Sequence, residues 1–143
     1  VLLIGRLVQP ADAADAPMLL LSAVQVWSMN VIVFGLIFWQ LDRGGPVTRT
    51  QAPRDELPEA DFRFPQDEDH DSVVEVAAGS SGRTDWTANF IDYLYFSLSN
   101  AMAFSPPDAV PLLNRTKILT GIEALGAYVL LVLVIARAVS LLG

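Results

Sequence analysis

Residues 18–41, MLLLSAVQVWSMNVIVFGLIFWQL, run for 24 positions without one ionisable side chain. As a helix rising about 1.5 Å per residue this run is about 36 Å long. About 20 apolar residues suffice to cross a hydrocarbon core of about 30 Å, so the run is expected to span a membrane. Pro17 stands just before it, and DRGGP at 42–46 closes it with a charge pair, two glycines and a proline, the usual punctuation of a helix exit. Trp27 lies inside the run and Trp39 near its exit, where an indole ring suits the headgroup level.

A second span is expected over 117–142, KILTGIEALGAYVLLVLVIARAVSLL, whose only charges are Lys117, Glu123 and Arg137. Arg137 lies near one end and can snorkel to the interface. Glu123 sits about two turns in from the other end, where a carboxylate needs a partner or water. The apolar opening VLLIGRLV is too short to cross a bilayer and lacks a basic n-region, so residues 1–9 are read as the end of a preceding helix.

Between the spans the composition changes. The whole chain is 52% hydrophobic with a mean hydropathy of +0.42, yet its net charge is -7. Most of the acidic residues fall between Asp42 and Asp92. Residues 42–87 are rich in Pro, Gly, Asp, Glu, Arg and Ser, a composition that buries too little apolar surface to offset chain entropy, so an irregular, disordered loop is expected. Within it VVEV at 73–76 is a candidate short strand, and DFRFPQ at 61–66 can dock its two phenylalanines on the membrane or on the chain's own helices. No clustered basic face exists that would hold nucleic acid. The chain has no cysteine, which excludes disulfides and thiolate chemistry.

ANFIDYLYFSLSNAMAF at 88–104 reads as a shorter amphipathic membrane helix, crossing tilted, dipping in and returning, or packed within a bundle. At about 100° per residue from Asp92, residues Asn89, Ser99, Asn100 and Ala103 share one polar arc, opposite Ile91, Leu94, Leu98, Ala101 and Met102. Such a stripe faces protein or water, not lipid. Residues 105–116, SPPDAVPLLNRT, read as a proline-rich turn in which Ser105 or Asp108 caps and Pro111 starts the next segment. The expected fold class is therefore all-α and transmembrane: two clear spans, one shorter helix and a long acidic loop.

The order helix, loop, short helix, turn, helix resembles the pore domain of two-helix potassium channels. Their filter needs glycines that let carbonyls point at the ion, whereas here no glycine occurs between Gly82 and Gly121. NAMAFSPPD stands in its place, so a selective potassium filter is not expected. Asn30, Asp92, Ser99 and Asn100 are candidates for a polar helix interface or pathway, with Gln25 and Glu123 as further intramembrane polar groups. Equally, such groups serve as hydrogen-bonding glue between helices, each worth about 0.6–2 kcal/mol. DEDHD at 67–71 lacks the ligand spacing of a calcium loop, so no metal is expected there. No nucleophile elbow, phosphate loop or histidine pair occurs, so no catalytic residues, cofactor or enzymatic activity are expected.

Three stretches, NVIVFGLIFWQLDRGGP at 30–46, FIDYLYFSLSNAMAFSPPDAVPL at 90–112 and LVIARAVSLL at 133–142, resemble a family of uncharacterised bacterial multi-span integral membrane proteins. The resemblance implies additional N-terminal spans and an inner-membrane location. It also implies departures at Gln40, where members carry glutamate, and at Glu123, where they carry glutamine. The basic residues Arg43, Arg49, Arg54, Arg115 and Lys117 flank the loop side of the two spans, against Arg6 and Arg137 at the far ends, which places the loop in the cytoplasm. The lipid bilayer and a second copy of the chain are the expected partners. Function is expected to be transport or pore-like, the alternative being a non-catalytic membrane scaffold or assembly subunit.

Overall fold

The computed structural model describes residues 16–68, 73–80, 86–102 and 107–142. The expected helix end at 1–9, the last three residues of DEDHD, and Ser105 lie outside them. In chain order the elements are α1 (Ala16–Leu41), α2 (Pro46–Gln51), β1 (Phe62–Arg63), α3 (Val74–Ala77), α4 (Phe90–Ala101), β2 (Val110–Pro111) and α5 (Asn114–Leu142). Single 3-10 turns occupy Asp42–Gly44, Arg54–Glu56 and Pro65–Asp67.

Both α1 and α5 are long and apolar enough to cross a membrane. Most of their large side chains, among them Leu20, Val24, Met29, Leu125 and Val132, are exposed, so neither helix is the covered core of the fold. They pack on each other and on α4, which lies against both. The close approach of α4 to α1 is set at Gly35, where an added Cβ would stand 3.3 Å from the Leu94 backbone. A side chain there would push α4 outward by a few tenths of an ångström.

α1 ends abruptly. Arg43 (φ 50°), Gly44 (φ 77°) and Gly45 (φ 96°) take left-handed or otherwise positive φ in succession, which turns the chain sharply out of the helix axis. The non-glycine member is held in place because its guanidinium donates to Asp67 Oδ2 at 3.0 Å and lies 3.4 Å from the Phe62 carbonyl. Pro46 then opens α2 at its first position, where its missing N–H costs nothing.

Four expectations change here. An antiparallel β pair, Phe62 with Pro111 and Arg63 with Val110, adds a small sheet to what was expected to be all-α. VVEV caps and enters the short helix α3, Val73 standing at its N-cap; a strand needs a partner, and β1 takes β2 instead. The turn expected at 105–116 includes β2, and its last three residues already belong to α5. Finally, residues 42–68 are ordered as short helices, turns and a strand, not as an irregular loop.

The order of that segment has a physical cause in six aromatic rings and two carboxylates. Phe62 is wholly buried, with ring centroids 4.7 Å from Phe96, 5.3 Å from Phe38 and 5.9 Å from Tyr93. Phe64 adds edge-on contacts to Tyr93 and Trp86, so DFRFPQ docks on the chain's own helices. Edge-to-face pairs of this kind add about 0.5–1.5 kcal/mol each beyond buried area. Beside them Asp42, also wholly buried, accepts from the backbone N–H of Asp61 (2.8 Å) and Phe62 (3.2 Å) and from the Tyr93 hydroxyl (2.5 Å). Asp61 in turn accepts from Arg115 Nε (2.7 Å) and from Thr116 Oγ1 (2.5 Å). The end of α1, the β pair, α4 and the start of α5 are thereby tied at one end of the bundle.

Candidate functional site

The geometry of α4 sets this fold apart from a plain helical hairpin. Its start is fixed by a reciprocal cap: the Asn89 side chain accepts from Ile91 N–H at 2.8 Å, and Asp92 Oδ2 accepts from Asn89 N–H at 2.8 Å. Such a cap satisfies two orphan donors and sets the helix start. Phe90 lies on Trp39 with centroids 5.7 Å apart, level with the tied end of the bundle. Its last turn clusters with Val31 and Trp27 of α1 and Ala127 of α5, about halfway along both long helices. Twelve residues give α4 a length of only about 18 Å.

The chain then comes back. Ala109 is buried in the Phe38, Phe62, Phe64 and Tyr93 cluster, and Leu112 N–H donates to the Asp61 carbonyl at 2.8 Å. Both ends of the α4 excursion are therefore on the side where α1 exits and α5 begins. Among the described residues, α4 packs against both long helices.

The polar residues expected to act together fall into separate groups. Asn100 Nδ2 donates to Glu123 Oε2 at 2.7 Å and to the Thr120 carbonyl at 3.0 Å. Ser97, which lay outside the expected stripe, is wholly buried and lies 2.7 Å from the Val31 carbonyl while also contacting Glu123 Oε1. Glu123 therefore has two partners on α4, and α1 is joined to α5 through Ser97. Ser99 is buried on a different side of α4, seven residues on from Asp92 and so on the same face. Asn30 joins neither group: its buried Nδ2 has no hydrogen-bond partner among the described residues.

Ser97 was missed for a geometric reason. At about 100° per residue it lies about 140° around α4 from Asp92, outside the arc of residues counted as polar. The side of α4 that actually faces α1 and α5 carries Tyr93, Phe96, Ser97 and Ala101, all buried. Ile91, Tyr95 and Met102 are exposed. Two further buried groups, Asp42 and Asp61, read in the sequence as members of a solvated acidic loop. The one local signal for them was the pair of phenylalanines that follows Asp61.

The Ser97 hydroxyl has one proton for two neighbouring acceptors, the Val31 carbonyl and Glu123 Oε1. An amide at position 123 supplies the missing donor and still accepts from Asn100. E123Q is therefore expected to fold and to unfold at or above the wild-type temperature, whereas E123A, which orphans Asn100 and Ser97, is expected to lose about 1–3 kcal/mol. Thermal unfolding of both variants in detergent checks this; equal loss in the two would make the site's hydrogen bonds irrelevant to stability.

Among the described residues no group of three or more histidine, aspartate or glutamate side chains is placed to hold a metal. A shallow pocket of about 130 Å³ lies between the Pro65–Asp67 turn, the first half of α4 and Asp108, with Gln66, Asp92, Tyr95 and Phe96 on its walls. Neither a family model, nor a curated protein, nor a solved structure matches the chain.

Proposed function

We propose that the protein is a multi-pass integral membrane component of the pore-like or transport class, with α1 and α5 as spans and α4 as a re-entrant half-span. The observation that carries this reading is the path of α4, halfway along the long helices and back to its own side. In a bilayer, non-helical backbone at mid-depth is tolerated only where protein buries it or water reaches it. Met102, just past the end of α4, is 52% exposed in one chain. A further copy of the chain across Ile91, Tyr95 and Met102 would enclose that end, and lipid would cover Leu20, Val24, Leu125 and Val132.

In this reading the polar residues divide by role. Asp92 and Ser99 face the passage between α4 and the returning chain. Asn100, with Ser97 and Glu123, holds α4 to α5. Asn30 stands apart, its buried amide donor without a partner among the described residues. The location is the bacterial inner membrane, in line with the resemblance noted above, with the tied end of the bundle in the cytoplasm because Arg43, Arg49, Arg54, Arg115 and Lys117 cluster there. No catalytic step is assigned to any residue.

The second reading, a non-catalytic scaffold, draws on the hydrogen bonds of Asn100 and Glu123, which end on protein groups. Thiol labelling separates the two, since the natural chain has no cysteine. Single cysteines at Asp92 and Tyr95, which line the pocket, are expected to react with a membrane-impermeant maleimide, and one at Leu125, exposed on α5, is expected to be protected. Protection of both equal to that of Leu125, with no solute flux in vesicles, would leave the scaffold.

A further inference from the structure

Glu123 is a wholly buried carboxyl group about 14 Å along α5 from its start at Asn114. Among the described residues no salt bridge reaches it. The helices packed around it offer no counter-charge. α1 carries no ionisable side chain over its whole length. The acid of α4, Asp92, is engaged in capping Asn89 at the helix start. On α5 itself, the exposed Lys117 and Arg137 lie toward the two ends. A carboxylate buried without a cation is costly enough that the group takes up a proton instead.

The hydrogen bonds around Glu123 show where that proton belongs. Four polar contacts meet here: Ser97 Oγ with the Val31 carbonyl (2.7 Å), Ser97 Oγ with Glu123 Oε1, Asn100 Nδ2 with Glu123 Oε2 (2.7 Å) and Asn100 Nδ2 with the Thr120 carbonyl (3.0 Å). Each needs one proton. The amide supplies two and the hydroxyl one, so one contact still lacks a donor. Carbonyl oxygens have no proton to give, which leaves the carboxyl. A single assignment then uses every proton once: Glu123 Oε1–H donates to Ser97 Oγ, the Ser97 hydroxyl donates to the Val31 carbonyl, and the Asn100 amide donates to Glu123 Oε2 and to Thr120. An ionised Glu123 would take the Ser97 proton for itself. The Ser97 and Val31 oxygens would then stand 2.7 Å apart with no proton between them.

We infer that Glu123 is a proton-binding site, occupied in this packing as a neutral carboxylic acid whose O–H joins α5, through Ser97 of α4, to the backbone of α1. The ligand of the site is a single proton, and both the pore-like and the scaffold reading leave it in place. Infrared spectra of the protein in lipid vesicles at neutral pH provide the test, since a protonated carboxyl has a C=O stretch separate from the amide bands. Such a band is expected in the difference between wild type and E123Q, where the contributions of all other carboxyl groups cancel. Isotope labelling of the glutamate carboxyl carbons is expected to shift the same band in the wild type, which requires no variant to fold; Glu123 is the buried member among the described glutamates. S97A removes the acceptor of the Glu123 O–H and is expected to shift the band while leaving it present, an effect that a purely space-filling role for Ser97 would not produce. A labelled wild-type spectrum without a glutamic-acid band at neutral pH overturns the inference, as does a band that S97A leaves unmoved.

Discussion

Replacing Asp42 by alanine is expected to cost about 3–5 kcal/mol and to release the tied end of the bundle. The carboxylate is wholly buried and receives three hydrogen bonds, from Asp61 N–H, Phe62 N–H and the Tyr93 hydroxyl. Alanine leaves all three donors without acceptors, and an orphaned buried donor costs about 1–3 kcal/mol. The effects overlap because the freed groups relax together, which keeps the sum below the arithmetic maximum. D42N retains one acceptor oxygen and is expected to lose roughly half as much. Y93F removes one hydrogen bond and isolates its share, about 1 kcal/mol. Unfolding of the three variants in one detergent gives the ranking. A D42A protein as stable as wild type would mean that the tie at this end does not hold α4.

Phe62→Ala is the companion experiment on the apolar half of the same region. Its ring touches those of Phe38, Phe64, Tyr93 and Phe96, which come from α1, the loop and α4. Truncating a buried phenylalanine costs about 3–5 kcal/mol through lost transfer energy and the cavity left behind. Because the rings join elements that are distant in sequence, the loss is expected to fall on the docking of residues 61–67, not on the helicity of α1 or α5. Limited proteolysis reads this directly: F62A should be cut between residues 52 and 68 at rates at which the wild type stays intact, while circular dichroism stays largely unchanged. Equal cleavage of both proteins would contradict the packing described for this segment.

How much of this was legible in the sequence depends on the kind of interaction. The two long helices were, because an uninterrupted apolar run needs no partner to be recognised, and both α1 and α5 fall within three residues of their expected limits. The exposed side of α4 was legible only in part: Ile91 and Met102 are exposed, whereas Leu94, Leu98 and Ala101, expected on the same side, pack against α1 and α5. Residues 42–68 were not. Asp42, Asp61 and Arg49 look like solvated charges, and what buries them is contact with Tyr93, Arg115 and Thr116, which composition cannot announce. The same limit separated Ser97 from Ser99: both are small polar residues of one helix, and only the direction of α1 and α5 tells which one meets Glu123.

The β pair also fixes an order of events during synthesis. Phe62 pairs with Pro111, and Asp61 is satisfied by Arg115 and Thr116, so a nascent chain that has released Asp61 must wait for the start of α5 to leave the ribosome. At about 5–20 residues per second that wait lasts about 3–10 s. Through that interval Phe62 and Phe64 can meet Phe38, Tyr93 and Phe96, while Asp61 keeps its charge in water until Arg115 and Thr116 arrive and make it a buried tie of the finished bundle.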